Sequence, residues 1–486
     1  MIRTLILTSL LATSAALANP AYEVEKIAFE KGIDSQVGGI AVLTDGRLAV
    51  CFHRGDVRIF DPKTQTWSLF AKGLHEPLGI LAESASSFVI VQRPELTRVS
   101  DTDGDGKADR YETICDDYGM SGNYHEFAFG PLLDPKTGDW FVALNVASNG
   151  APVREEVRGE FLELSATHEQ ILTEWGKVKG KVGRMYSVVP YRGWVLKVEK
   201  DTGKLIPWAY GFRSPNGLGF DADGELFVSD NQGDWLGTSK LHHVVKGRFH
   251  GHPASLPWTE NYDGRPPLEI PVEELEKMRT PAAVWFPQGT MANSPTQPVL
   301  IPDGFGPFAG QMLIGEMNRA RIIRLMLEKV NGVMQGACVP FIDEGQLPAG
   351  VNRLAFGPDQ SLWTGHTHLS WAGSEGMTRI RYREGKTFQD VSRISITSDG
   401  FKVAFLQPLD ELGDVKLSRY TFAYHSAYGS PEMEKADVAF EAKRLSDREF
   451  QFVLAEPLKR DFLYDFRFPK AENPMVCYTV REIPVP

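Results

Sequence analysis

Residues 215–230 read PNGLGFDADGELFVSD: an apolar strand, an acidic turn closing on Gly224, and a second apolar strand. Asp and Gly accept left-handed backbone angles cheaply, so this turn between two apolar runs predicts a tight hairpin. The plan recurs in GGIAVLTDGRLAV from Gly38, PLGILAESASSFVIV from Pro77, HEFAFGPLLDPKTGDWFVAL from His125 and VNRLAFGPDQSLWTG from Val351, with an imperfect copy, GQMLIGEMNRARIIRL, from Gly310. Further alternating strands follow several copies: GDVRIFD from Gly55, WVLKVEKD from Trp194, RIIRLMLE from Arg321 and MTRIRYRE from Met377. Hairpin repeats of roughly 40–60 residues predict the blades of a β-propeller, about six in all, with an array of β-sandwiches as the structural alternative.

Outward from the repeats, the rhythm changes near Ser392. ISITSDGFKVAFLQPL, SRYTFAYHSAY, REFQFVLAEPL and FLYDFRF are longer alternating strands without the blade motif. They predict an immunoglobulin- or fibronectin-like β-sandwich over 392–486 behind a propeller at 19–391, an all-β chain throughout. Frequent glycine (46) and proline (31) without low-complexity runs agree with many turns. Two stretches interrupt the pattern. Gly150–Val182 is polar and partly helical, and Glu269–Met278 is a short acidic helix candidate in a proline-rich connection. Both are expected over one propeller face, where long loops collect and ligands bind.

The N-terminus, MIRTLILTSLLATSAALANP, has Arg3, an apolar run Leu5–Leu11 and an Ala16-Leu17-Ala18 ending. It reads as a signal peptide over 1–18, which places the protein in the periplasm or outside the cell. The run is shorter than the roughly 20 residues of a membrane span, and later segments are not apolar enough to cross. The net charge of -11 argues against a nucleic-acid partner, because phosphate binding needs a basic face. Cys51, Cys115, Cys338 and Cys477 match no disulfide framework and are read as buried thiols, although export would permit bridges.

Asp101-Thr-Asp103-Gly-Asp105-Gly106, running on through Asp109 to Glu112, fits D-x-D-x-D-G-x5-E. This is the pattern of a calcium loop, in which Asp101, Asp103, Asp105, the Lys107 carbonyl, Asp109 and Glu112 are the candidate ligands. No paired second loop exists, so a structural clamp is expected rather than a sensor. Two i,i+2 histidine pairs, His250/His252 and His366/His368, are candidate transition-metal ligands. Trp235, Trp258, Trp285 and Trp371 are candidate sugar-stacking rings.

The segment GFRSPNGLGFDADGELFVSDNQGDW, Gly211–Trp235, resembles the R-x-P-x-G stretch of the soluble quinoprotein glucose/sorbosone-type sugar dehydrogenases. KGRFHGHP from Lys246, the stretch from Val284 to Leu325 and VNRLAFGPDQSLW extend the resemblance across roughly Gly38 to Arg383. The DTDGDGKADR, FGPFAGQ and QGAC phrases are similar to a bacterial membrane-bound dehydrogenase branch. The resemblance implies a six-bladed propeller holding pyrroloquinoline quinone (PQQ) and Ca²⁺. It would oxidise a sugar or polyol-like alcohol and pass electrons to a separate acceptor such as a cytochrome or quinone. It implies His125 as base and Arg213 facing the quinone. Asn216, Asn318, Arg319 and Arg353 become cofactor contacts, and the Asn231-Gln232-Gly233 loop becomes the catalytic calcium site through its carbonyls. The departures are that Asn318 stands where the family has lysine, that the family aspartate after the next strand appears as Asn145 or not at all, and that His125 stands five residues, not eight, before its Gly-Pro turn. Two alternatives stay open: a non-catalytic calcium-stabilised propeller that binds glycan or protein, and a calcium-dependent sugar lactonase.

Overall fold

Each of the six predicted blades needs an inner strand short enough to line an axis and three more strands to carry it outward. The computed structural model describes residues 19–148, 167, 169–170, 173–174, 185–343, 345–368 and 373–485. The leader at 1–18, Trp371 and most of the 150–182 insertion fall outside them.

Six four-strand units form. Blade 1 is Val37–Val42, Leu48–Phe52, Val57–Asp61 and Thr66–Ala71, and blade 2 runs from Ile80–Ser84 to Arg110–Cys115. Blade 3 runs from Ala128–Leu133 to Leu205–Tyr210, and blade 4 from Pro215–Phe220 to Val284–Phe286. Blade 5 starts at Pro295–Leu300 and ends at Val333–Ile342; blade 6 starts at Val351–Phe356. The outermost strand of blade 6 is the N-terminal Tyr22–Ile27, antiparallel to Gly376–Tyr382, so the first strand of the chain closes the ring. The inner strands touch in circular order, blade 6 meeting blade 1. The array of sandwiches is thereby excluded.

The axis is crowded, and glycine makes it possible. A Cβ on Gly79 would lie 1.4 Å from the Gly130 carbonyl oxygen of the next blade. Blade-to-blade hydrogen bonds reach the neighbouring inner strands from the side chains beside the axis. Ser229 Oγ donates to the Pro295 carbonyl (3.3 Å), Thr296 Oγ1 to Val351 (2.9 Å) and Asn352 Nδ2 to Val37 (3.2 Å).

Two elements differ from the sequence reading. The inner strand of blade 5 is Pro295–Leu300, upstream of the imperfect copy at Gly310, which supplies the second strand instead. Two prolines hide it, since proline removes ladder donors and reads as non-strand; the register slips between Pro295 and Pro298. The acidic helix is α1, Val272–Met278, shorter than the Glu269–Met278 candidate because Pro267–Glu269 makes a separate 3-10 turn.

From Val391 the chain forms a two-sheet sandwich. One sheet pairs Val391–Ile396, Gly400–Phe405, Glu449–Leu454 and Phe440–Arg444 in that order. Alternation buries Phe401, Val403, Phe405, Phe450 and Phe452 against Tyr464, Phe466, Val476 and Tyr478 of the other. That second sheet is not separate from the propeller. Its strand Met475–Val480 pairs with Val333–Ile342 of blade 5 at Gly336–Thr479, Ala337–Tyr478 and Cys338–Cys477, so one eight-stranded sheet spans both units. All four cysteines are buried free thiols; Cys338 Sγ donates to the Cys477 carbonyl at 3.6 Å. Among the described residues no helix is long and apolar enough to cross a membrane.

Candidate active site at the propeller mouth

Blade 4 begins with a turn that must present Arg213 while burying its own backbone donors. Asp230, at the end of the adjacent strand and fully buried, accepts the N–H groups of Arg213 (2.9 Å) and Ser214 (2.7 Å). Burial raises the Asp230 carboxyl despite these two bonds. The guanidinium of Arg213 donates from Nε to Asp234 Oδ1 at 3.2 Å. On the other side of Asp234, His252 Nε2 lies 3.6 Å from Oδ2. Burial raises Asp234, but His252 and Arg213 outweigh it and hold the carboxyl down to about 2. Gly233 is required here, because a Cβ would fall 1.8 Å from Arg213 Nε. Trp235 follows with a φ of 64°, a strained angle for a bulky residue, in this same tight turn.

His125 arrives from the loop before blade 3. Asn123 Oδ1 accepts the N–H groups of His125 (3.0 Å) and Ser148 (3.1 Å), which fixes the approach. His125 Nδ1 lies 2.8 Å from the Val146 carbonyl, which can only accept, so Nδ1 carries the proton in the neutral ring and Nε2 is bare. Nε2 faces Ser214 Oγ at 3.5 Å, and Ser214 Oγ accepts from Asn145 Nδ2 at 3.0 Å. His125 thus meets Ser214, the chain neighbour of Arg213, and feels the Arg213 charge. Burial, then the Arg213 charge, pushes His125 down to about 4, the Val146 bond opposing. The ring is therefore a neutral proton acceptor at ordinary pH.

Arg353 has a different surrounding from the one expected. Its Nε donates to the carbonyls of Gly38 (2.9 Å) and Leu78 (3.2 Å), and Nη2 donates to Leu78 (3.0 Å). Nη1 meets Asn216 Oδ1 (3.0 Å) and the Asn352 carbonyl (2.7 Å). The side chain ties blades 1, 2, 4 and 6 at the axis, stacks over Phe129 at 4.8 Å, and burial pushes it down to about 9. Asn216 is spent likewise, its Nδ2 donating to Met317 Sδ at 3.5 Å. Asn318 and Arg319 sit in the turn after Met312–Glu316, where the Arg319 N–H donates to Glu316 and its Nη1 to the Gly289 carbonyl. The Gly233 carbonyl, expected to face calcium, accepts N–H groups from Leu236 (3.2 Å) and Gly429 (2.9 Å). Gln232 donates from Nε2 to Gly237 at 3.1 Å. Two buried amide oxygens near this turn, Asn145 Oδ1 and Asn231 Oδ1, have no hydrogen-bond partner among the described residues.

The other candidates separate cleanly. Asp101, Asp103 and Asp105 bring carboxylate oxygens within 4.8 Å of one another. Asp109 instead accepts from Thr102, and Glu112 is drawn along its strand toward Arg98 (3.3 Å) and Arg110 (3.6 Å). The twelfth position of the pattern is thus a strand residue paired with arginines. His250 stacks on Phe212 at 4.7 Å, His252 turns to Asp234, and His366 is engaged by Ala349, Thr364 and Thr378, so neither pair forms a ligand set among the described residues. Trp235 and Trp285 are core residues, 3% and 5% exposed. The residues that sequence reasoning missed are Asn123, Ser214, Asp230 and Asp234. The strand-end and turn positions of the two aspartates in LFVSDNQGD were the available signal.

Five histidine rings bear on the acid stability. Burial holds His53, His125 and His366 down to about 4, His250 down to about 3 and His242 well down, all below the unfolded value near 6.5. Above that value both states are neutral and stability is full; it is lost as pH falls from about 6.5 through the folded values, because only the unfolded chain binds the protons. We expect urea-unfolding free energy to fall steadily between pH 6.5 and 4, each ring contributing on the order of 3 kcal/mol at most. A flat profile over that window would contradict the burial account.

Residues 196–366 match the glucose/sorbosone dehydrogenase family, in agreement with the resemblance carried by Gly211–Trp235 and the stretches that follow it. The PQQ-bound aldose sugar dehydrogenase of Streptomyces coelicolor is similar in structure: 15% identity, TM-score 0.48, covering 75% of this chain and 100% of that one. So is the holo PQQ domain of pyranose dehydrogenase from Coprinopsis cinerea, with 11% identity, TM-score 0.49 and coverage of 75% and 96%. A gluconolactonase of Xanthomonas campestris gives 12%, 0.40, and 76% and 93%. No curated protein matches the sequence.

Proposed function

We propose that the protein is an exported quinoprotein-type dehydrogenase that oxidises an aldose or polyol-like alcohol, with PQQ and Ca²⁺ as cofactors and electrons leaving to a separate acceptor. The observation that carries this reading is the unprotonated Nε2 of His125 within reach of the Arg213 charge, Arg213 itself lying in the segment that matches the sugar dehydrogenase family. The donor set fits an anionic ring only in part. Arg213 and Arg319 offer cations at the same end of the propeller, and the oxygens of Asn145 and Asn231 are unclaimed acceptors that suit a hard cation. Arg353 serves the scaffold and is withdrawn as a cofactor ligand. Bound there, PQQ would take up the two electrons released by alcohol oxidation. The chain's own work is to accept the hydroxyl proton at His125 Nε2 and to offset developing negative charge with Arg213.

The commitment of Arg353 and the Asn318 departure favour a second reading, a propeller that binds without turnover. One experiment separates the two: titrate the full chain with PQQ, with and without Ca²⁺, and follow co-elution of the quinone and dye reduction with aldoses. Calcium-dependent binding with dye reduction supports the dehydrogenase. Binding without reduction supports the second reading, and no binding ends both cofactor assignments. Asp101→Ala is the control for the loop at 101–112. A calcium-induced rise in melting temperature that this variant loses belongs to the loop; one that it keeps belongs elsewhere.

A further inference from the structure

The sandwich reaches the mouth of the propeller through one connection, Phe422–Glu432. Its backbone is pinned there: Gly429 N–H donates to the Gly233 carbonyl (2.9 Å) and Ser430 N–H to Gly237 (2.8 Å), while Ala423 N–H donates to Ser430 Oγ (2.9 Å). Tyr424 is the anchor. Its hydroxyl donates to the Gly251 carbonyl at 2.5 Å, and its ring lies 4.6 Å from the Arg279 guanidinium and 5.7 Å from Trp235. Tyr428 is placed differently. Its backbone bridges Asp234, its ring centroid lies 5.6 Å from the Arg213 guanidinium, and it is 44% exposed. Beside His125, Tyr124 is 46% exposed, and its ring lies 5.8 Å from that of the histidine.

Each candidate reacting group thus has an exposed aromatic ring beside it, one of them held on pinned backbone. A pyranose offers matching chemistry: an apolar C–H face for a ring and hydroxyls for the polar groups between. We propose that Tyr428, carried by the sandwich, and Tyr124 form an aromatic clamp that holds the ring of an aldose over His125 and Arg213. The proposal rests on the dehydrogenase reading above. It assigns the C-terminal unit a part in substrate choice, and it moves the sugar-stacking role from Trp235 and Trp285, which are buried, to two tyrosines.

The test uses the full chain loaded with PQQ and Ca²⁺. Affinities for D-glucose, D-galactose and D-xylose are measured by tryptophan fluorescence, and quinone affinity by absorbance. Tyr428→Ala is expected to weaken binding of the sugars that the wild type takes by about tenfold, with Tyr428→Phe within twofold of wild type and quinone affinity within twofold throughout. Tyr124→Ala should weaken sugar binding in the same way. Sugar affinity unchanged in Tyr428→Ala overturns the clamp and leaves the dehydrogenase standing. A loss of quinone affinity in Tyr428→Ala equal to the loss for sugar also overturns it, by making the ring a support for Arg213. A wild type that binds quinone but none of the sugars refutes the aldose assignment. A wild type that binds no quinone removes the reading on which the clamp rests.

Discussion

Arg353→Ala should cost the fold about 3–5 kcal/mol, read as a drop in urea-unfolding free energy. The guanidinium satisfies carbonyls of Gly38, Leu78 and Asn352 at the axis, where water cannot replace it. Each orphaned buried carbonyl costs roughly 1–3 kcal/mol, and the loss falls on four blades at once. The effect exceeds that of a cofactor contact and is present without any quinone. Unchanged stability together with lost quinone affinity would return Arg353 to the cofactor.

His125→Ala should lower turnover by about 10²–10⁴-fold while quinone affinity changes little, since the ring is assigned a proton and not a carboxylate. The pH profile carries the sharper expectation. With the folded ring held down to about 4, its protonation places the acid limb of kcat/KM near that value, leaving the rate level from pH 5 to 8 with respect to this group. An acid limb near 6.5 in the wild type would mean that the ring is solvated and screened from the Arg213 charge.

These expectations show where the sequence was legible. Hairpins such as 215–230 announced blades because a two-residue period and an Asp-Gly turn are local signals. The strand at Pro295–Leu300 was hidden by its prolines, and the pairing of Val333–Ile342 with Met475–Val480 could not be read, because strand partners far apart in sequence leave no local mark. At the site, His125 and Arg213 were found through the family motif; His125 meets Ser214, the residue after Arg213, while the Arg213 guanidinium is turned to Asp234. Arg353 was found by the same route and points into the scaffold, since a motif fixes a position but not which acceptors its donors meet. Glu112 matched a spacing rule written for a loop that continues into other geometry; here the spacing ends on a strand, and two arginines claim the carboxylate.

The eight-stranded sheet has a further consequence for how this protein can be divided. A chain ending before Val391 would leave the residues around Gly336–Cys338 as a raw border of unanswered N–H and C=O groups, open to stitching one molecule to the next. The C-terminal unit is in that sense a plug for its neighbour's flank as well as a carrier of Tyr428. Swapping it between relatives would require the border and the tyrosine loop to travel together.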